Sequence, residues 1–171
     1  FVTVFGLKPE RGPDGAVVKT TVLDVGEGSE PWAAVIGADD DTAYVILRKA
    51  QKLIRIDHLR DTPSVAADSL VLGSEPMGIA ITPTGKLIFV SNWAEGTIST
   101  ITTDQFGRGP FLDLNTSLQD TGSLGDIPSR PGLAHPRALA ITDDGDKDDN
   151  DETLYAPEFF AQPLQPFKTE P

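Results

Sequence analysis

The sequence predicts an all-β fold built from antiparallel four-stranded units. One short phrase occurs three times, and each copy has a Pro, an alternating apolar run, a turn and a second alternating run. The three copies begin at Glu30-Pro31, Glu75-Pro76 and His135-Pro136. Alternation over four to eight residues is typical of strands that are buried on one face. A repeat made of such hairpins indicates a repetitive β architecture.

The middle copy shows the unit most clearly. Its two alternating runs are separated by the turn Pro83-Thr84-Gly85, where glycine supplies a positive φ. A second turn leads to a third run, and the end of the preceding copy shows a fourth. The predicted strands cover residues 1–5, 17–25, 31–36, 42–47, 52–57, 69–72, 78–82, 86–91 and 97–103, with 136–142 and 153–157 in the third copy.

The spacing of the repeats indicates their size. The first two prolines, Pro31 and Pro76, are 45 residues apart, which is the length of a four-stranded propeller blade. The next interval is 60 residues, so we place an insertion in the Gly/Pro/Ser-rich stretch 107–134. A loop of this length is functional or mobile. The predicted units are a blade remnant over 1–28, a blade over 29–73, a blade over 74–133 and a partial blade over 134–171.

The stretch from Gly73 to Asn92 resembles the YVTN-type β-propeller repeat. Phe89-Val90-Ser91-Asn92 stands where that family has Tyr-Val-Thr-Asn, and the likeness is weaker in the first and third copies. The resemblance covers roughly residues 17–160 and implies a seven-bladed ring. Propellers need at least four blades to close, and this chain supplies about three. We therefore expect a partial propeller that other residues complete.

The composition argues against several kinds of partner and of chemistry. An apolar fraction of 39% is typical of a globular protein. The net charge of −12 argues against nucleic acid, whose phosphates require a basic surface. No apolar run approaches the ~18 residues of a membrane span, so we expect no membrane insertion. The absence of cysteine excludes thiolate catalysis, Cys-ligated zinc and covalent haem within this segment.

The segment 143–152 is the most unusual local feature, because seven of its ten residues are acidic and one is basic. Oxygen donors at every second position favour Ca²⁺, which takes 6–8 oxygen ligands. The spacing is not that of an EF-hand. The alternative is a solvated acidic hairpin tip without metal, and the turn's position favours a structural ion over a catalytic one. The predicted Ca²⁺ ligands are Asp144, Asp146, Asp148, Asn150 and Glu152.

A ligand face is predicted at the end of the blades where the first strands begin. The leading candidates are Asn92, Trp93, His135, Arg137 and Glu158, and the wider set adds Trp32, Arg48, Lys49, Met77 and Glu95. Trp and Arg are enriched in binding hot spots. Trp32, Met77 and Arg137 follow the three prolines, so packing between blades is the alternative for them. We interpret His58 as a surface histidine.

Two classes of function stay open from the sequence. The first is a non-catalytic binding or scaffold segment, with a protein partner or the remaining blades of the propeller as its partners. The second is part of an enzyme, since the resemblance extends to lactonases and to propellers that accompany haem-dependent oxidases and peroxidases. Neither histidine has a nucleophile or second acid at a useful spacing, which favours the first. The resemblance also implies an extracytoplasmic location, periplasmic or secreted.

Overall fold

The computed structural model describes residues 1–6, 18–114 and 134–159. Most of the predicted insertion, residues 115–133, lies outside this part, as do the last twelve residues of the chain. The strands are β1 (Val2–Gly6), β2 (Val18–Leu23), β3 (Pro31–Ile36), β4 (Ala43–Leu47), β5 (Lys52–Asp57), β6 (Ser64–Val71), β7 (Pro76–Ile81), β8 (Leu87–Asn92), β9 (Thr97–Thr102), β10 (Gly107–Arg108), β11 (Leu112–Asp113), β12 (Ala140–Ile141) and β13 (Leu154–Tyr155).

These strands form four antiparallel sheets in the order of the sequence. The first complete blade is the meander β3-β4-β5-β6, and the second is β7-β8-β9-β10. The pairs β1-β2 and β12-β13 stand before and after them. The predicted all-β fold of four-stranded antiparallel blades in a partial propeller is confirmed.

The outermost strands differ from the sequence prediction. β6 begins at Ser64, five residues before the predicted start. In the second blade the fourth position is shared by β10 and β11, both of which pair with β9. Pro110 lies between these two pieces and has no backbone N–H to donate, which agrees with the break in the strand.

The first complete blade lies in the middle of the described part of the chain, and both of its faces are covered. All five residues of β4 are buried. Tyr44 and Ile46 pack in a cluster that includes Ile88 and Val90 of the second blade. The alternate residues of β4 pack in another cluster, to which side chains of β1 and β2 belong. Side chains of a strand alternate between its faces, so β4 joins two inter-blade cores.

The first strand of each copy begins at the same end of its sheet, so the loops lie at one of two opposite faces. The end of the blades that carries Pro31, Pro76 and Pro136 is called the proline face below. The loops that join the second strand to the third lie at the same end, while the turns that join the first strand to the second lie at the opposite face. Among the described residues no helix is both long enough and apolar enough to cross a membrane.

Candidate functional site

The proline face is built on a repeated backbone conformation. Glu30, Glu75 and His135, the residues before the three prolines, have φ values of 54°, 51° and 43°. A positive φ is uncommon outside glycine, and a residue before proline avoids the helical region. Each such residue costs about 1–3 kcal/mol that the surrounding structure must offset. The third copy therefore shares the local geometry of the first two.

A repeated hydrogen bond holds this conformation. The carbonyl oxygen of each residue before proline accepts a hydrogen bond from the backbone of the loop after the second strand. The donors are the backbone N atoms of Arg48, Trp93 and Phe159, at 2.8, 3.0 and 3.3 Å. These three residues thus occupy equivalent positions in the three copies, although their side chains differ.

In the first two copies, the side chains at these positions reach toward the following copy. Arg48 Nη2 lies 3.7 Å from Glu75 Oε1, and the ring of Trp93 lies 4.8 Å from the ring of His135 between centroids. The Arg48–Glu75 pair is partly exposed, so it stabilises the fold by at most about 1 kcal/mol. Loops of successive blades are therefore joined along the proline face.

Trp93, His135 and Phe159 form a compact group, which we call the aromatic patch. Trp93 and Phe159 meet edge to face, with ring centroids 5.2 Å apart. Trp93 and His135 are half-buried, whereas Phe159 is 56% exposed. Aromatic contacts of this kind contribute about 0.5–1.5 kcal/mol each beyond the area they bury. The three rings therefore form one apolar surface that their mutual contacts stabilise.

The imidazole of His135 is oriented by a hydrogen bond within the patch. His135 Nδ1 lies 2.9 Å from the carbonyl oxygen of Trp93. A carbonyl oxygen can only accept, so Nδ1 carries the proton and donates it. In the neutral ring this makes Nε2 the acceptor nitrogen.

Glu158 lies beside the patch, in an antiparallel bridge with Pro136. Burial raises the pKa of its carboxyl group above the ordinary value. A carboxyl group with a raised pKa is suited to act as a general acid, although packing alone also produces such shifts. Glu158 is thus the residue of the proline face that is best suited to proton transfer.

Asn92 lies inside the second blade rather than on its surface. The side chain is fully buried, and Asn92 Nδ2 donates to Thr97 Oγ1 and Ser99 Oγ at 2.9 Å each. A β-carbon at Gly73 would lie 2.5 Å from Asn92 Cγ, so the backbone at Gly73 closes over the amide. Asn92 therefore holds two strands and the preceding loop together.

Arg137 and Trp32, two of the residues after the prolines, keep exposed side chains. Backbone atoms of Arg137 nevertheless pack closely on the second blade, because a β-carbon at Gly78 would lie 2.8 Å from Arg137 O. Trp32 is 49% exposed, and the Arg48 guanidinium carbon lies 4.9 Å from the centre of its ring. Both residues thus add exposed surface to the proline face.

The acidic segment brings three carboxyl groups together at the opposite face. Asp144, Asp146 and Asp151 each offer an oxygen within 4.8 Å of the others, and all three residues are exposed. A backbone hydrogen bond favours the charged form of Asp151, but partial desolvation and the nearby negative charges, Asp148 included, raise its pKa overall. The every-second-residue pattern found two members of this group and missed Asp151.

The other predicted ligands have partners inside the loop. Asp148 Oδ1 accepts from the backbone N of Asn150 at 3.0 Å, and Glu152 Oε1 accepts from Asp144 N at 3.2 Å. The alternating aspartates also form a series of Asx turns, which accounts for their spacing without an ion. In each turn, the Oδ1 atom of an aspartate accepts a hydrogen bond from the backbone N two residues later. The pairs are Asp143 with Gly145, Asp144 with Asp146, Asp146 with Asp148 and Asp148 with Asn150.

The side chain of Asp149 points away from this loop and contacts the second blade. Its carboxylate accepts hydrogen bonds from Thr84 N at 3.1 Å and from the Thr84 hydroxyl. Partial burial alone would raise the pKa of Asp149, but hydrogen bonds from Thr84 and Thr82 and the charge of Lys86 lower it overall. The acidic loop is therefore fastened to the neighbouring first turn, a contact that the sequence did not indicate.

Comparisons with known proteins show the fold but no family. No family model matches the chain, and no curated protein matches its sequence. The fold is similar to a candidate 6-phosphogluconolactonase from Bacteroides fragilis, with a TM-score of 0.54 and 16% identity over 65% of this chain and 35% of that one. It is also similar to streptogramin B lyase, with a TM-score of 0.50 and 16% identity over 88% and 47%.

A third similar structure is the hydrazine synthase of Kuenenia stuttgartiensis, with a TM-score of 0.51 and 14% identity over 74% of this chain and 29% of that chain. The chain thus spans less than half of the length of each of these proteins. At such identities the likeness shows a propeller-like fold alone. The more specific YVTN resemblance stays a prediction.

Proposed function

We propose that this chain is a non-catalytic binding segment of a β-propeller in an extracytoplasmic protein, and that the aromatic patch contacts a protein partner. The observation that carries the proposal is the geometry of the patch. Three rings from two successive copies are held by direct contacts and backbone hydrogen bonds, and Phe159 remains 56% exposed. Rigid, partly exposed aromatic residues are typical centres of protein interfaces.

The surroundings of the patch support a protein partner. Arg137 is exposed next to His135, and the Arg48–Trp32 stack lies on the same face. An apolar centre with charged residues near it matches the usual arrangement of a core and a polar rim. The opposite face carries the acidic loop instead, so the two faces differ in chemical character.

Affinity capture from the extracytoplasmic fraction of the source organism tests this proposal. Wild-type chain, the double variant Trp93→Ala/Phe159→Ala and the control Phe111→Ala are compared, and captured proteins are identified by mass spectrometry. Phe111 is 44% exposed and contacts Arg108 at the outer strand position of the second blade, and it makes none of the ring contacts of the patch. We expect a protein that binds the wild type and the control and whose reconstituted binding weakens at least about tenfold in the double variant. Equal binding by all three would contradict the proposal.

Glu158 favours a second candidate function, a hydrolase-like site on the same face. Its raised pKa suits proton transfer, and similar structures include the candidate 6-phosphogluconolactonase. Lactone hydrolysis that is lost in Glu158→Gln and kept in Glu95→Gln would favour catalysis over binding alone. No hydrolysis above the uncatalysed rate would remove this candidate.

We also propose that Ca²⁺ stabilises the acidic loop through Asp144, Asp146 and Asp151. Three exposed carboxyl groups within 4.8 Å repel one another, and a divalent cation between them would relieve the repulsion. Ligands that bind only the native state raise its stability by mass action. We expect Ca²⁺ to raise the unfolding midpoint relative to chelator, and the increase to be lost in Asp151→Asn. An unchanged midpoint at saturating Ca²⁺ would contradict the proposal.

A further inference from the structure

A cleft of about 400 Å³ lies between the two complete blades at the face opposite the proline face. Its lining comes from the turn after β3, from the turns after β7 and β9, and from the ends of β4 and β5. The volume falls within the range of about 300–1,000 Å³ that is usual for small-molecule sites.

Close contacts join the turns around this cleft. Gly85 has a φ of 76°, and a β-carbon there would lie 2.8 Å from Ala38 Cβ, so the first turns of the two blades pack without space for a side chain. Thr103 Oγ1 donates a hydrogen bond to Gly85 O at 2.7 Å, which joins the turn after β9 to the turn after β7. The three turns therefore form one packed wall.

Tyr44 brings an unpaired hydroxyl group to the cleft. The residue is 5% exposed, and its hydroxyl makes no hydrogen bond within the described residues. The oxygen is not enclosed by protein atoms and Tyr44 lines the cleft, so the hydroxyl faces the cleft. Burial raises the pKa of this hydroxyl, the charge of Arg55 opposes the rise, and the nearby carboxylates of Asp39 and Asp57 add to it. Polar atoms of buried side chains normally have a partner, which a ligand in the cleft would supply.

The charges of the cleft leave a negative balance. Asp57 and Arg55 both line the cleft and pair with each other, with 2.8 Å between Asp57 Oδ1 and Arg55 Nε. Asp39 and Asp104 also line it, and they make no ion pair within the described residues. Hydrogen bonds, first of all from the backbone of Asp41, lower the pKa of Asp39, so its carboxylate is charged at neutral pH. The cleft therefore holds two unpaired carboxylates.

The polar side chains of the cleft are mainly hydrogen-bond acceptors. The hydroxyls of the three lining threonines already donate within the protein, Thr42 to Asp39, Thr84 to Asp149 and Thr103 to Gly85. Asp104 Oδ1 accepts from the backbone N of Gln105, and Asp104 Oδ2 accepts nothing within the described residues. A matching ligand must bring donors and positive charge. A primary ammonium group supplies both, because it has three donors and no acceptor.

We propose that the cleft binds a small aliphatic diammonium cation, with one ammonium group between Asp39 and the Tyr44 hydroxyl and the other at Asp104. Each ammonium group forms a charge-assisted hydrogen bond with a carboxylate, and the Tyr44 hydroxyl accepts a further one. The two positive charges match the two unpaired carboxylates. This inference is independent of the aromatic patch and of its protein partner, which belong to the proline face.

Calorimetric titration of the chain with putrescine tests the inference, with 1,4-butanediol as the ligand of equal length that lacks the charge. Salt at about 0.15 M screens weak attraction to exposed carboxylates elsewhere. We expect putrescine to bind at least about tenfold more tightly than 1,4-butanediol, because only the ammonium groups make charge-assisted hydrogen bonds. No binding of putrescine at millimolar concentration, or equal binding of the two ligands, would overturn the inference.

Matched charge variants locate the site. We expect Asp39→Asn/Asp104→Asn to weaken putrescine binding at least about tenfold. The control Asp61→Asn/Asp143→Asn removes two carboxylates from loops at the same face, one of them in the acidic segment, and should leave binding unchanged. Equal losses in the two double variants would indicate general attraction to an acidic surface and overturn the inference.

Tyr44→Phe tests the site without removing a charge, and it still decides if the double variant unfolds. Because the hydroxyl bonds no other described residue, we expect an unchanged thermal unfolding midpoint without ligand. Binding of putrescine should weaken at least about threefold, since one hydrogen bond to a charged group is lost. An unchanged affinity in this variant would place the ligand elsewhere and overturn the inference.

Discussion

The positive φ of the three residues before proline was not predicted from the sequence, although the repeat that contains them was. Glu30, Glu75 and His135 are easily aligned by the following proline, yet their left-handed φ values are uncommon for any residue other than glycine. Hydrogen bonds from the loop after the second strand hold them, and these partners are 18 to 24 residues away. The sequence therefore predicted the position of the repeat but not its local strain.

Asn92 illustrates the same limit for a side chain. It follows a strand and precedes a turn, where polar residues are usually exposed, so the sequence placed it among the ligand-face candidates. Its burial depends on Gly73, Thr97 and Ser99, which surround the amide only after the blade has folded. Turn-forming residue types are the same in solvated loops and in buried polar contacts.

Gly73→Ala tests the buried contact with Asn92. A methyl group there would lie 2.5 Å from Asn92 Cγ and from Glu95 Oε2, so the loop must shift. We expect a loss of about 1–3 kcal/mol in the free energy of unfolding, measured by chemical denaturation. In the control Gly107→Ala, the nearest atom is Thr102 Oγ1 at 3.5 Å, which is ordinary contact. Equal effects of the two substitutions would contradict the packing described.

In the two complete blades, the first three strands were predicted within one or two residues of their bounds, whereas β12 in the third copy begins four residues later than predicted. β5 agrees with its prediction over 52–57, and β4 differs by one residue at its start. The broken fourth strand of the second blade was not predicted, because two-residue pieces are too short to show a period. The contact between Asp149 and Thr84 was not predicted because it joins loops 65 residues apart.

Ile46→Ala tests the role of β4 in the core between the two complete blades. Ile46 is fully buried, so the substitution should leave a cavity and lower the free energy of unfolding by about 2–5 kcal/mol. The matched control is Ile36→Ala in the neighbouring strand β3, where the side chain is 52% exposed and the loss should stay below about 1 kcal/mol. Similar losses in both variants, measured by urea denaturation, would argue against β4 as the central strand.

Asp149→Asn tests the contact between the acidic loop and the second blade. The folded chain lowers the pKa of Asp149, so its stabilisation is present above the unfolded value of 3.8 and is lost as pH falls below it. We expect a loss of about 1 kcal/mol at pH 7 that shrinks toward zero near pH 2. The control Asp61→Asn removes the same charge from an exposed loop at the same face. A pH-independent loss in thermal unfolding would contradict the role given to the carboxylate.

Charge is distributed unevenly between the two faces of the molecule. The segment 143–152 carries seven acidic residues and one lysine, which is half of the net charge of −12. This concentration was visible in the sequence, and the repeat placed it at the opposite face. The grouping of Asp144, Asp146 and Asp151 was less accessible, because it brings together carboxyl groups that do not follow one regular spacing in the sequence.

Varying the ionic strength tests whether repulsion among the carboxylates of the acidic segment lowers the stability of the fold. Repulsion among exposed carboxylates is screened when the Debye length falls from about 10 Å at 0.1 M salt to about 3 Å at 1 M. We therefore expect the thermal unfolding midpoint to rise with NaCl in the presence of chelator. Replacing Asp144, Asp146 and Asp151 together by Asn should reduce this rise. A midpoint that falls with salt in the wild type would show that the ion pairs of Arg55 and Arg60 dominate instead.

The partial propeller needs further blades to close, and the proposed binding role needs its proline face to be open. The first and last strand pairs each expose an apolar side chain, with Val22 of β2 40% exposed and Tyr155 of β13 58% exposed. A crystal structure of the complete protein would show both features. We predict further four-stranded blades against both strand pairs, with Trp93, His135 and Phe159 at the open end of the ring. Packing of β1-β2 or β12-β13 against a domain of another fold would contradict the account.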